Sequence, residues 1–254
     1  MKLQVMSDLH LRPQHGFTIP ETDADLIVLA GDIGRGLSGV QWAMDEAGRL
    51  GKPIVYVFGN HEYYTHVFPD LADDAKRAAA GSGVHVLEND QLIWGQTRIL
   101  GCTLWTDFLL FGEEQEQDCI AVTEAVLYDY KIIRTADQEP LRAHLTQQRH
   151  RESREWLETR LAEPWAGPTV VVTHHAPCRE GSHPHFDGPL TAAFTSDLKP
   201  LMERHSIDLW ICGHSHANVD LLLGRTRLLS NQQGYPAEQV PGPAFEPGKV
   251  VAVG

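Results

Sequence analysis

Three observations predict a layered α/β fold for this 254-residue chain. Apolar segments of strand length alternate with amphipathic segments of helix length. The strand segments are apolar at consecutive positions, which suits sheets covered on both faces better than sheets with one wet side. Five of them end on Asp, Asn or His, in "SDLH", "AGDIG", "GNHE", "THH" and "CGHSH". In sheets of this kind ligands gather outside the carboxyl ends of the strands.

Taken in order, "KLQVMSD" is a short strand, "DLIVLAGD" a buried one and "PIVYVFGN" a third. Between the second and third, "GVQWAMDEAGRLG" has helical spacing and a closing glycine. Residues 69–80 read as a helix ahead of the strand "VHVLEN", and "LIWGQTRILGCTLW" as a hairpin around Gly95 and Gln96. From about Thr106 to Trp165 the pattern turns polar and mostly helical, with "HLTQQRHRESREWLETRLAE" an amphipathic helix. This stretch is expected to be a mainly helical insertion, at about 106–165, in a single domain spanning 1–254. "LWTDFLLFG", at its start, suits either core packing or a cap over a site. Strand signal returns with "PTVVVTHH", a helix is expected around residues 191–205, and "IDLWICGH" is another buried strand. "NVDLLLGRTRLLSN" reads as a hairpin turning at Gly224, and the Pro/Gly-rich "GYPAEQVPGPAFEPG" as a loop before a last strand, "KVVAVG".

Composition narrows the function classes. Net charge is −13 at pH 7, a surface that repels nucleic acid and anionic membranes at long range. The same surface repels a phosphate ester unless a local positive source lies at the site. No apolar run approaches the roughly 20 residues of a membrane helix, and Asp8 and His10 interrupt any signal-peptide pattern. Cys102, Cys119, Cys178 and Cys212 show no CxxC spacing, so neither a zinc ribbon nor a disulfide framework is expected, in keeping with a cytoplasmic protein. Fourteen histidines are many for this length, and histidine is the commonest side-chain metal ligand.

The strand ends therefore read as a metal site. Turns favour Gly, Asn, Asp, Ser and Pro, but not His. Asp8, His10, Asp32, Asn60, His174, His214 and His216 give seven side chains, too many for one tetrahedral ion, so two divalent ions are expected. In D-x-H and H-x-H, residues two apart on an extended chain point to the same side. Carboxylate, amide and imidazole without thiolate suit Mn²⁺, Fe or Zn²⁺ better than Mg²⁺ or Ca²⁺.

The order D-x-H, G-D, G-N-H-E, H and G-H-x-H, from Asp8 to His216, resembles the calcineurin-like metallophosphoesterase family. The resemblance implies two mixed β-sheets packed as a four-layer sandwich with helices on the outer faces. It implies one metal held by Asp8, His10, Asp32 and His216, and a second held by Asp32, Asn60, His174 and His214, with Asp32 bridging. His61 is then the imidazole beside the pair, facing substrate. Many members carry Asn or Asp shortly after G-D, whereas "GDIGRG" does not.

Two ions roughly 3.5–4 Å apart share a water and lower its pKa toward about 7. Such a hydroxide would attack phosphorus, and His61 is the residue expected to protonate the leaving oxygen as general acid. Glu62 is placed either to orient His61 or in a structural ion pair. The expected activity is that of a phosphodiesterase or phosphatase on a small phosphorylated molecule or nucleotide. The alternatives are a catalytically silent metal-containing binding module, which ought to lack ligands, and a nuclease. The acidic balance and the absence of a Lys/Arg cluster argue against a long nucleic acid. Substrate contacts are sought at Tyr64, His175 and His183, and at Trp105, Phe108 and Asn231 near the motif loops. The sequence leaves oligomeric state open.

Overall fold

The computed structural model describes residues 1–12 and 16–254. The first sheet has the order β11 (Val250–Ala252), β1 (Lys2–Met6), β2 (Leu26–Ala30), β3 (Ile54–Val57), β4 (Val84–Leu87). Its four central and edge strands β1 to β4 run parallel, and β11 is antiparallel to β1. The second has the order β5 (Asp90–Trp94), β6 (Thr97–Cys102), β7 (Thr169–Thr173), β8 (Leu209–Cys212), β10 (Thr226–Ser230), β9 (Asp220–Leu223). Here β6, β7, β8 and β10 are parallel, with β5 and β9 antiparallel at the edges.

Successive strand residues face opposite ways, and that alternation builds the layers. Leu3, Val5, Leu26, Val28, Val55 and Val57 of the first sheet meet Ile99, Val170, Val172, Leu209, Ile211 and Leu229 of the second. The opposite faces carry helices. Ile27, Leu29, Ile54 and Tyr56 pack under α1 (Ser38–Leu50) and α2 (Leu71–Ala79). Leu100, Val171, Trp210 and Leu228 pack under α5 (Ala143–Ala162) and α6 (Lys199–Arg204). Between β6 and β7 the chain forms α3 (Glu116–Val126), α4 (Asp129–Ile132) and α5. This is the expected pair of mixed sheets packed as a sandwich with helices outside.

The hairpins form where the turn residues predict: Trp94 pairs with Thr97 around Gly95, and Leu223 with Thr226 around Gly224. The helix expected over 191–205 is broken. A 3₁₀ turn covers Pro189–Ala193, Thr195 forms a bridge with Ala176, and α6 starts only at Lys199. Pro200 explains the late start, because a proline is accommodated in the first turn of a helix and not inside it. No helix among the described residues is long and apolar enough to cross a membrane.

Leu26 is fully buried between the sheets, at the end of β2 remote from its carboxyl end. Leu26→Ala is expected to lower stability by about 2–5 kcal/mol, whereas Leu222→Ala, at an exposed site on edge strand β9, stays within about 0.5 kcal/mol of wild type. Urea unfolding of the two variants checks the contrast.

Candidate metal centre

Parallel strands bring their carboxyl ends to one edge, and the seven predicted side chains follow β1, β2 and β3 of one sheet and β7 and β8 of the other. They meet where the sheets abut. Asp8, His10, Asp32, His214 and His216 all have positive φ, between 45° and 70°, a conformation that costs an L-residue roughly 1–3 kcal/mol and collects at functional sites. Two glycines let the backbone come close enough. A Cβ on Gly59 would lie 2.1 Å from Asp32 Oδ1, and one on Gly213 would lie 2.6 Å from Asp8 Oδ2.

Asp32 sits in the middle. Its Oδ1 is 3.4 Å from His174 Nε2, and its Oδ2 is 4.0 Å from His10 Nε2 and 3.7 Å from His61 Nε2. On one side, Asp8, His10 and His216 each offer a ligand atom within 4.8 Å of the others, and on the other side Asp32, His174 and His214 do the same. Asn60 Oδ1 joins the second group, 3.1 Å from His174 Nε2. In the first, the Nε2 atoms of His10 and His216 face each other at 3.0 Å, and His216 Nε2 is 3.5 Å from Asp8 Oδ1. His61 forms a third such group with His10 and Asp32.

Hydrogen bonds orient the rings. His174 Nδ1 donates to Ala30 O at 2.9 Å and His216 Nδ1 donates to Glu238 at 2.5 Å, so each turns Nε2 inward. His214 Nε2 is buried with no partner. A buried polar atom without a partner is rare, and a metal ion would satisfy this one. Two carboxylates, an amide oxygen and four imidazoles form a donor set that suits divalent ions of the Mn²⁺, Fe or Zn²⁺ type. The residues fit the group the sequence implies.

Charge follows from the packing. Burial alone would raise the Asp32 carboxyl, but His61, His174 and His10 hold it well below its usual range. Burial opposes a proton on His174, yet Asp32 and Asp8 carry it up to about 9. His216 is likewise lifted to about 10 against its burial, by Asp8 and Glu238. Burial wins at His10, pushed down to about 4, and at His214 and His175, which lie well below the ordinary histidine range.

The remaining expectations divide. Tyr64 stacks on His61 with centroids 4.1 Å apart, and both line a cavity of about 350 Å³ beside Asp32. His183 lines the same cavity. His175 is buried beneath it, donating Nδ1 to Thr103 O and packing on His214 and Trp105. Trp105 and Phe108 are core residues, and Asn231 ties Val5 and Glu246 together. Glu62 is directed away from the His61 ring: it accepts the backbone N–H groups of Asp32, Ile33, Gly34 and Gly59.

Three residues were not picked out from the sequence. Asp129 of α4 accepts hydrogen bonds from Asn60 Nδ2 and the Tyr64 hydroxyl. Tyr235 stacks on His10, and its hydroxyl lies 3.3 Å from His61 Nε2. Glu238 holds His216. The last two follow β10, a further parallel strand ending at the same edge, and that position was the available signal.

A model of the family described as calcineurin-like phosphoesterase matches residues 1–218. An uncharacterized protein of Acanthamoeba polyphaga mimivirus is 24% identical over 267 aligned positions, covering 93% of this chain and 92% of its own. The acyl-carrier-protein phosphodiesterase PptH of Mycobacterium tuberculosis is 23% identical over 282 positions, covering 97% of this chain and 85% of that protein. The crystal structure of the phosphopantetheinyl hydrolase PptH from M. tuberculosis superposes with a TM-score of 0.73 at 22% identity, over 92% of this chain and 90% of that one. At this identity the likeness is one of fold.

Metal uptake by the metal-free protein is expected to release protons at pH 7. His174 and His216 are protonated below about 9 and about 10, and a ligating imidazole is neutral. Apparent affinity therefore rises with pH through neutrality and levels off near pH 10. Calorimetry in buffers of different protonation enthalpy measures the release, and a heat independent of buffer would contradict it.

Proposed function

Since the chain belongs to the calcineurin-like phosphoesterase family, we propose that it is a metal-dependent phosphodiesterase acting on a small organic phosphodiester. Asp8, His10, Asp32 and His216 would hold one divalent ion, and Asp32, Asn60, His174 and His214 the second. The observation that carries this reading is Asp32, one oxygen toward His174 and the other toward His10. When bound, such ions activate a water for attack and neutralise the phosphoryl oxygens.

The chain's own residues supply the rest. His61 stands at the cavity wall as the general acid for the leaving oxygen. Tyr64 backs one face of its ring, and the Tyr235 hydroxyl meets Nε2. Val126, Leu127, Tyr128, Phe186 and Phe194 give the cavity an apolar and aromatic wall. No Lys or Arg is among the lining residues, which include the carboxylates Asp129 and Glu238. Carboxylates on the cavity wall disfavour the second negative charge of a monoester more than the single charge of a diester. The name of the mycobacterial relative, an acyl-carrier-protein phosphodiesterase, supports the same preference and suggests a phosphopantetheinyl ester as substrate.

Metal-free protein reconstituted with Mn²⁺ is expected to hydrolyse bis(p-nitrophenyl) phosphate well above p-nitrophenyl phosphate, and to release phosphopantetheine from a holo acyl-carrier protein. His61→Asn should lower kcat by about 10² to 10⁴ with metal content unchanged. Asp32→Ala should weaken both metal sites. Loss of a metal in His61→Asn would make His61 a ligand instead. A monoester preference, or no turnover by wild type carrying two ions, would refute the diesterase reading.

A further inference from the structure

Asn60 is a candidate ligand whose orientation its own chemistry leaves open. Its amide offers an acceptor oxygen and a donor nitrogen of nearly equal shape, and only the oxygen can bind a cation. Asn60 is buried beside His174, where the wrong rotamer would aim two N–H groups at the ion.

We infer that Asp129, supplied by the segment between β6 and β7, is a positioning residue that fixes the Asn60 carbonyl toward the second metal and holds Tyr64 against His61. The inference rests on the two-ion reading above. Asp129 Oδ1 accepts Asn60 Nδ2 at 2.9 Å and the Tyr64 hydroxyl at 2.7 Å. An ionised carboxylate can only accept, so the amide nitrogen turns to Asp129 and the oxygen is left facing His174 at 3.1 Å. Through the second bond the same oxygen sets the Tyr64 ring, which lies 25° from the plane of His61. One atom thereby controls a metal ligand and the wall behind the proton donor.

The segment is built to hold that atom still. Asp129 opens α4 and is itself buried. Next to it, Tyr130 is tied through its hydroxyl to Thr146 of α5 at 3.0 Å, and Glu124 of α3 accepts the first N–H of α5 from Ala143. All three helices thus brace one carboxylate against the end of β3.

Mn²⁺ titration of the metal-free chain separates positioning from plain structural support. Asp129→Ala should weaken one of the two ions by about 10- to 100-fold, leave the other as in wild type, and lower kcat more than it alters KM. Asp129→Asn, whose amide can present N–H groups as well as its oxygen to Asn60, should bind the second ion more weakly than wild type while leaving the first unchanged. Tyr64→Phe should keep both ions, since it spares the Asn60 contact, while lowering kcat. If the alanine variant fails to fold, Asp129→Ser, too short to reach Asn60, should show the same loss of one ion. Wild-type affinity for both ions in folded Asp129→Ala, Asp129→Ser or Asp129→Asn overturns the inference. A wild type that binds a single ion overturns the two-ion reading itself.

Discussion

One buried carboxylate holds the loop on which the centre depends. Glu62 accepts backbone N–H groups from Asp32 at 3.0 Å, Ile33 at 2.8 Å, Gly34 at 3.2 Å and Gly59 at 2.7 Å, and the Tyr56 hydroxyl at 2.8 Å. Hydrogen bonds to a charged group contribute roughly 1.5–3 kcal/mol each, enough together to hold Asp32 at its positive φ. They also fasten the end of β2 to the end of β3, so the distance from Asp32 to Asn60 is set by a side chain that touches neither ring nor substrate. Burial and the nearby Asp32 charge both push the Glu62 carboxyl up. Two carboxylates this close raise the energy of the loop, and positive charge at the centre lowers it again.

The sandwich supplies the second dimension. Asp8, His10, Asp32 and Asn60 hang from one sheet, while His174, His214 and His216 hang from the other. Cross-sheet bonds set the gap: His174 Nδ1 to Ala30 O, and the His214 N–H to both oxygens of Asp8 at 3.0 and 3.2 Å. Neither half of the donor set would converge if one sheet slid on the other, and the dry apolar layer between them resists that slip.

What the sequence disclosed follows the range of the forces involved. Strand ends were legible because each motif is local: an apolar run, a glycine, then a donor. The hairpins at Gly95 and Gly224 were legible for the same reason. The helix expected over 191–205 was overextended because that range runs through Pro200, which marks the first turn of the helix that forms. Glu62 was expected either to orient His61 or to sit in an ion pair, yet its partners are backbone N–H groups that include Ile33, 29 positions away. Asp129 lies 69 positions from Asn60 and Glu238 lies 22 from His216. No periodicity links such pairs, and a lone acid in a polar helix or a Pro-rich loop looks like a solvated residue until the fold closes on it.

The charge balance then joins these parts. A chain of net charge −13 has no lysine or arginine among the described residues lining the cavity beside Asp32. Without metal, the raised His174 and His216 keep their protons at neutral pH, so the carboxylates are compensated within the fold itself. Divalent ions in place of those protons would bring more positive charge into the same space. On the far side of His61, Tyr64, Tyr128 and Tyr235 a groove shares these four residues and adds Arg12 and Arg35. The cavity and the groove thus differ in charge, one lined by Asp129 and Glu238 and the other by Arg12 and Arg35, and they meet at the ring of His61. Tyr235 and Glu238, which complete this meeting point, lie beyond the residues matched to the family.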